Sequence, residues 1–209
     1  MRLVDMLRSL LRPLPAVVQP SAISLAELEP LPLPGPWSLG VALGMHAEDS
    51  EGTERSAIGA LLAEFKYAGY RALARPLGEA LARAVAPWHP EVVVHVPYTR
   101  RSSFEPACEL SRATARALRV RCLPHFIART RTIIPQKDLT SLSEKKENIC
   151  EAFRVRRPEL VRGRRALIVD DVYDSGATLE EAWRAVRKAG AAEIAVAAVT
   201  KTRFQRGDW

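Results

Sequence analysis

The sequence predicts an α/β domain: a mainly parallel sheet flanked by helices, carrying a small N-terminal hood or appendage. Three observations lead there. Val92-Val93-Val94-His95-Val96 and Ala166 to Val172 (ALIVDDV) are short β-branched or apolar runs of the kind found in strands buried on both faces. Apolar residues at helical spacing stand between and beside those runs, and strands alternating with helices favour parallel pairing through crossover connections. The chain has 209 residues, 47% hydrophobic and 26% charged, which is enough for a real core and excludes wholesale disorder.

Residues 1–54 form the expected appendage and residues 55–209 the globular domain. Val4, Leu7, Leu10 and Leu11 have helical spacing, which Pro13 and Pro15 end at once. Pro20, Pro30, Pro32, Pro34 and Pro36 then mark an extended linker. Trp37 to Met45 reads as a short strand and His46 to Thr53 as a loop. Ile58, Leu61, Leu62 and Phe65 make one helical stripe, broken at Gly69, and Leu77, Leu81 and Val85 make a second, with Pro76 tolerated in its first turn. After the first strand come a loop, Pro97 to Ser103, and a helix, Ala107 to Leu118. Thr130 to Glu147 (TRTIIPQKDLTSLSEKKE) is polar and aperiodic, long for a connection, and is read as a lid over residues 130–147. The strand Ala166 to Val172 is followed by a Gly-containing turn, a helix from Thr178 to Ala189 and a last strand from Ile194 to Val199.

Composition excludes several classes. No apolar run approaches the roughly 20 residues of a membrane span, and Arg2, Asp5 and Arg8 interrupt the apolar start, so a soluble cytoplasmic protein with no membrane partner is expected. Cys108, Cys122 and Cys150 include no CxxC pair, and His46, His89, His95 and His125 are isolated in sequence, so neither a disulfide framework nor a structural zinc site is expected. The net charge of +7 is concentrated locally, with eight Arg between Arg100 and Arg131 and six between Phe153 and Arg165. Such patches suit a nucleic-acid backbone, one highly phosphorylated ligand, or simply solvated helix faces.

The segment Leu167 to Thr178 (LIVDDVYDSGAT) carries the chemistry. A buried strand ends in two adjacent carboxylates at the edge where open α/β sheets bind ligands. Side chains alternate along a strand, so Asp170 and Asp171 diverge, which suits two neighbouring ribose hydroxyls better than an acid/base dyad. Asp174, Ser175, Gly176, Ala177 and Thr178 form a turn into a helix N-terminus, where small residues free backbone N–H groups and two hydroxyls add donors: a phosphate cradle. Asp174 would repel a phosphate, so its side chain is expected to point toward the sugar–base bond as a proton or hydrogen-bond acceptor. No GxxxxGK[ST] or GxGxxG loop occurs, and paired acids near the end of the chain do not suit a response-regulator receiver.

The segment resembles the signature of type I phosphoribosyltransferases, which bind phosphoribosyl pyrophosphate. Within them the chain is most similar to the ComF family of competence-associated proteins. Phe65-Lys66-Tyr67, Val94-His95-Val96-Pro97, Arg129-Thr130-Arg131 with Gln136, and Asn148 with Ala152-Phe153 follow in the family's order, so the resemblance covers roughly Trp37 to Thr202. The chain departs from the family where a Pro-rich segment replaces a cysteine-rich zinc ribbon, and where Ser102-Ser103-Phe104-Glu105-Pro106 replaces Arg-Gly-Phe-Asn-Gln. It departs again at Asp174, where Thr is frequent.

The resemblance implies binding of phosphoribosyl pyrophosphate with Mg²⁺ and transfer of the 5-phosphoribosyl group to a nitrogenous base, with a purine among the candidates. Asp170 and Asp171 would hold the ribose hydroxyls, with no protein side chain bound directly to the metal, and Asp174 to Thr178 would hold the 5′-phosphate. Tyr98, Arg100 and Arg101 would bind pyrophosphate, an Arg fork being suited to bidentate phosphate contact. Arg129, Arg131 and Lys137 would act in the lid, and Lys201 would face the base. Phe65 and Tyr67 are read as core, and His95 as a satisfied strand-end histidine. The alternative is a non-enzymatic phosphoribosyl pyrophosphate or nucleotide sensor in DNA uptake or processing, with Arg-rich faces on nucleic acid. A homodimer is compatible with either.

Overall fold

In the computed structural model, which describes residues 24–49, 54–98, 104–134, 139 and 141–203, the ALIVDDV run lies at the centre of the sheet. The elements are β1 (Leu31–Pro32), β2 (Leu39–Met45), α1 (Ala57–Tyr67), α2 (Ala74–Val85), β3 (Val92–His95), α3 (Pro106–Leu118), β4 (Arg121–Cys122), β5 (Ile127–Arg129), α4 (Leu142–Ile149), β6 (Phe153–Val155), β7 (Arg165–Tyr173), α5 (Ala177–Lys188) and β8 (Glu193–Lys201). The main sheet has the order β1-β2-β8-β7-β3-β4. All of its pairs are parallel except β1 with β2. β5 and β6 form a separate antiparallel pair.

Strand alternation divides the core into two layers. Val93, Leu167, Val169, Ala195 and Ala197 pack on one face with Leu61, Phe65, Leu77, Leu81 and Leu110 of α1, α2 and α3. Val92, Ile168, Val196 and Ala198 pack on the other with Leu179, Ala182 and Val186 of α5. Both faces of the central strands are covered, which explains their unbroken apolar runs. α2 and α3 approach closely at Gly78, where a Cβ would lie 2.4 Å from the Ala113 Cβ.

Two expectations change here. Residues 39–45 were assigned to the appendage, yet β2 pairs with β8 in the same parallel sheet, so the sheet extends past the boundary at residue 54. Part of the Pro-rich stretch is no loose linker: Leu33 and Trp37 are buried in the core, and the Trp37 indole donates to the Leu33 carbonyl at 2.8 Å. Pro32 is accommodated because β1 is an edge strand. The helix expected near the start lies outside the described residues. Among the described residues, no helix is long and apolar enough to cross a membrane.

Candidate functional site

The topology sets the place of the site. β3 and β7 are neighbours. The helix that follows β3, α3, packs on one face, while the helix that follows β7, α5, packs on the other. The chain therefore leaves a crevice at the carboxyl ends of these strands, where open α/β sheets bind ligands. A cleft of about 670 Å³ opens there.

One wall is contiguous in sequence. β7 runs on through Tyr173, past both carboxylates, so Asp170 and Asp171 lie within the strand rather than at its end. The Asp170 carboxyl accepts the Asp171 N–H at 2.8 Å, while Asp171 pairs with Lys66 Nζ at 2.8 Å. The two side chains thus meet different partners, as strand alternation requires. Burial, with the neighbouring Asp171 charge, pushes the Asp170 pKa up to about 8. Burial works against the Lys66 ammonium, but the Asp171 carboxylate outweighs it and raises the Lys66 pKa.

Beyond β7 the chain turns at Gly176, which has φ of 79° and precedes the first residue of α5. Only glycine holds this conformation without steric cost. A Cβ there would also lie 2.7 Å from the Tyr173 hydroxyl, so the constraint is the turn packed on Tyr173 rather than open approach to a ligand. Asp174, Ser175, Gly176 and Thr178 line the cleft; Ala177 is buried beneath them. The Ser175 hydroxyl accepts the Ala177 N–H at 3.4 Å.

The phosphoribosyl transferase domain profile matches residues 74–209, about two thirds of the chain. The chain belongs to the phosphoribosyl transferase domain family. It is also 32% identical over 117 residues to the DNA utilization protein YhgH of Escherichia coli O6:H1, a match covering 54% of this chain and spanning about half (50%) of that relative's length. Together the two matches support the expected likeness to ComF-like type I phosphoribosyltransferases. Among solved structures, glutamine phosphoribosylpyrophosphate amidotransferase from B. subtilis is similar at 23% identity and a TM-score of 0.43, over 60% of this chain and 25% of that one. The purine phosphoribosyltransferase from Pyrococcus horikoshii Ot3 is similar at 18% identity and a TM-score of 0.40, over 66% and 85% of the two chains.

The other wall of this phosphoribosyltransferase cleft is assembled from distant segments. His46, Arg55, Lys66 and Tyr67 come from the end of β2 and from α1 with its approach; Tyr98 and Arg129 also line the cleft. Arg129 donates to the Pro97 carbonyl at 2.9 Å. Arg100, Arg101 and Lys137 lie outside the described residues.

Several expectations are corrected. The 130–147 segment is not aperiodic throughout, because it contains most of α4. Ser141 and Glu144 form a reciprocal capping box there, a signal legible as S-x-x-E in the sequence. Lys145 of α4 reaches Asp174 at 2.7 Å, and the Thr202 hydroxyl donates to the other Asp174 oxygen at 2.9 Å. Asp174 therefore turns toward α4 and the end of β8, with both oxygens engaged, and not toward an open sugar–base position. Arg131 does not line the cleft; it donates to the Cys150 carbonyl at 3.0 Å, at the end of α4. Lys201 does not line it either, because its Nζ reaches the Pro32 carbonyl of β1 at 3.0 Å. Phe65 is buried as expected, but Tyr67 is 75% exposed.

The histidines are less isolated than their spacing indicates. Folding brings His95, Glu105 and His125 together, with ligand atoms within 4.8 Å of one another. His95 is nevertheless satisfied, with Nδ1 at 2.9 Å from the Val96 carbonyl and Nε2 accepting the His125 N–H at 3.0 Å. Both ring nitrogens are occupied by the backbone, which makes this a structural packing cluster.

Proposed function

We propose that this protein is a phosphoribosyltransferase that binds phosphoribosyl pyrophosphate with Mg²⁺ in the cleft. It transfers the 5-phosphoribosyl group to a ring nitrogen of a base, with purines among the acceptors. The observation that carries this reading is the continuity of one wall: two carboxylates on β7 lead directly into a left-handed glycine turn at the N-terminus of a twelve-residue helix.

Each part has a chemical consequence. The turn and the first N–H groups of α5 face a phosphate with the positive end of the helix dipole. Asp171 accepts hydrogen bonds from ribose hydroxyls, and Asp170, whose pKa burial and the Asp171 charge raise, can donate in its protonated form as well as accept. Lys145 brings a cation to the mouth of the cradle, where it offsets Asp174. Asp170, Asp171 and Asp174 bring carboxyl oxygens to the cleft, the ligand chemistry that suits a hard cation such as Mg²⁺. Bound with the ligand, Mg²⁺ would supply charge neutralisation for pyrophosphate, with Asp170 and Asp171 acting on it through the ribose hydroxyls. The carboxylates also face the positive charge that develops on the sugar as the bond to pyrophosphate lengthens, so catalysis rests on positioning and electrostatics. Incubation with phosphoribosyl pyrophosphate, Mg²⁺ and a panel of purines and pyrimidines should release pyrophosphate with at least one base. Release with none would reject transfer.

A second reading is a non-enzymatic sensor of phosphoribosyl pyrophosphate or nucleotides in DNA uptake or processing. The likeness to a DNA utilization protein supports it. So does a second, shallow cleft of about 410 Å³ whose lining includes Arg154, Arg184 and Lys188. A steep fall of DNA affinity with salt is its signature, because each phosphate contact releases counterions.

A further inference from the structure

We propose that the wall formed by the end of β2 and by α1 is the acceptor site, and that His46 takes the proton from the attacking ring nitrogen. The inference rests on the transferase reading. It adds a substrate class, a planar nitrogen heterocycle with an ionisable ring N–H, and a proton acceptor for it.

His46 is held on three sides. Its N–H donates to the Lys201 carbonyl at 2.8 Å, and its own carbonyl accepts the Ser56 N–H at 3.3 Å. In the ring, Nδ1 lies 3.0 Å from Oγ1 of Thr200, a fully buried residue. In the tautomer assigned here, whose Nδ1–H donates to that hydroxyl, the lone pair is on Nε2, which has no hydrogen-bond partner among the described residues. The residue lines the cleft, so a fixed ring with an available lone pair stands at its wall.

The other candidates for this proton are occupied. Asp171 pairs with Lys66, and Asp174 is shared between Lys145 and Thr202. Burial and the Asp171 charge raise the Asp170 pKa and favour its protonated form. His46 is kept neutral: burial lowers its pKa, the Arg55 and Lys66 cations lower it further, and Asp171 and Asp174 oppose them. A neutral imidazole can accept a proton at pH 7.

The same wall offers a flat surface. Tyr67 lines the cleft and is 75% exposed, so its ring face is open to a ligand there. The Lys66 ammonium lies 5.7 Å from its ring centroid. A planar base stacked on Tyr67 would sit between that wall and the carboxylates of β7. His46, Lys66 and Tyr67 all precede residue 74, where the family profile match begins.

The step balances as follows. The ring nitrogen forms a bond to C1 of the ribose while the C1–oxygen bond to pyrophosphate breaks, and that electron pair leaves with pyrophosphate. The proton on the attacking nitrogen passes to His46 Nε2, and the imidazolium returns it to water once the products leave.

The test uses the full chain, phosphoribosyl pyrophosphate with Mg²⁺, and adenine, guanine, hypoxanthine, xanthine and uracil as acceptors. His46→Asn retains an amide able to bond Thr200 but has no basic ring nitrogen. Its kcat with the accepted base should fall about 10²-fold or more, within the range for general acid–base groups. The acidic limb of its kcat/KM profile should vanish, while calorimetric affinity for phosphoribosyl pyrophosphate stays unchanged. Tyr67→Ala should raise KM for the base alone. Wild-type turnover that His46→Asn leaves intact, or an acidic limb removed by Asp174→Asn instead, overturns the inference and spares the transferase reading. Wild-type protein that releases no pyrophosphate with any of these bases overturns both.

Discussion

The two walls of the cleft are built in opposite ways. The β7–α5 wall is one unbroken stretch, in which an apolar strand, two carboxylates and a glycine turn follow each other in sequence. The facing wall draws His46 from β2, Lys66 and Tyr67 from α1 and Lys145 from α4. The first wall owes its geometry to local backbone conformation, the second to tertiary packing and ion pairs. A ligand group common to every reaction of the family, such as a phosphorylated ribose, suits the first; a variable acceptor suits the second.

This contrast is open to breakage. Gly176→Val should have the largest effect among the cradle variants. It forces a β-branched residue into a left-handed conformation against the Tyr173 hydroxyl, at a cost of about 1–3 kcal/mol in stability. It should weaken ribose 5-phosphate and nucleoside monophosphates alike in calorimetry. Loss confined to certain bases would show that the turn belongs to the acceptor side.

Asp170→Asn sharpens the comparison through pH. The folded pKa of Asp170 is about 8 against 3.8 for a free aspartate, so the native state holds an extra proton between those values. Its contribution to stability is complete below pH 3.8 and is lost as pH rises through 8. Thermal melts of Asp170→Asn should therefore match wild type in acid and rise above it increasingly toward pH 8. A constant difference across that window would contradict the buried, protonated carboxyl.

Lys145→Ala should have the smallest effect on stability. Its pair with Asp174 is partly exposed, at 15% and 48% for the two side chains, which limits its contribution to about 0–1 kcal/mol. Amide exchange across α4 should nevertheless quicken, because an eight-residue helix depends on its contacts for order. Unchanged exchange would mean that the buried Ile149 and the capping box hold α4 without Asp174.

The contrast also explains what was legible in the sequence. Strand β7, the turn after it and α5 are local events, and an apolar run followed by Asp-Ser-Gly-Ala-Thr announces them. α4 was missed although Ser141 and Glu144 carry its capping signal, because the surrounding polar residues hide any apolar stripe. The partnership of Lys66 with Asp171 joins segments far apart in the chain and leaves no periodic trace. Arg131 and Lys201 show the converse: long cationic side chains whose sequence position suits a ligand reach the backbone carbonyls of Cys150 and Pro32 instead. The Pro-rich stretch misled because proline is compatible with an edge strand as well as with a linker.

The central claim is that the β7–α5 wall binds phosphoribosyl pyrophosphate. Calorimetric titration of the ligand with Mg²⁺ into wild-type protein and into Asp170→Asn/Asp171→Asn tests it most directly. Wild type should bind, and the double variant should lose roughly 100-fold or more, since hydrogen bonds to the charged Asp171 contribute about 1.5–3 kcal/mol and those to a neutral Asp170 about 1 kcal/mol. Its circular dichroism and melting should show a retained fold. Undiminished binding by a folded double variant would contradict the assignment.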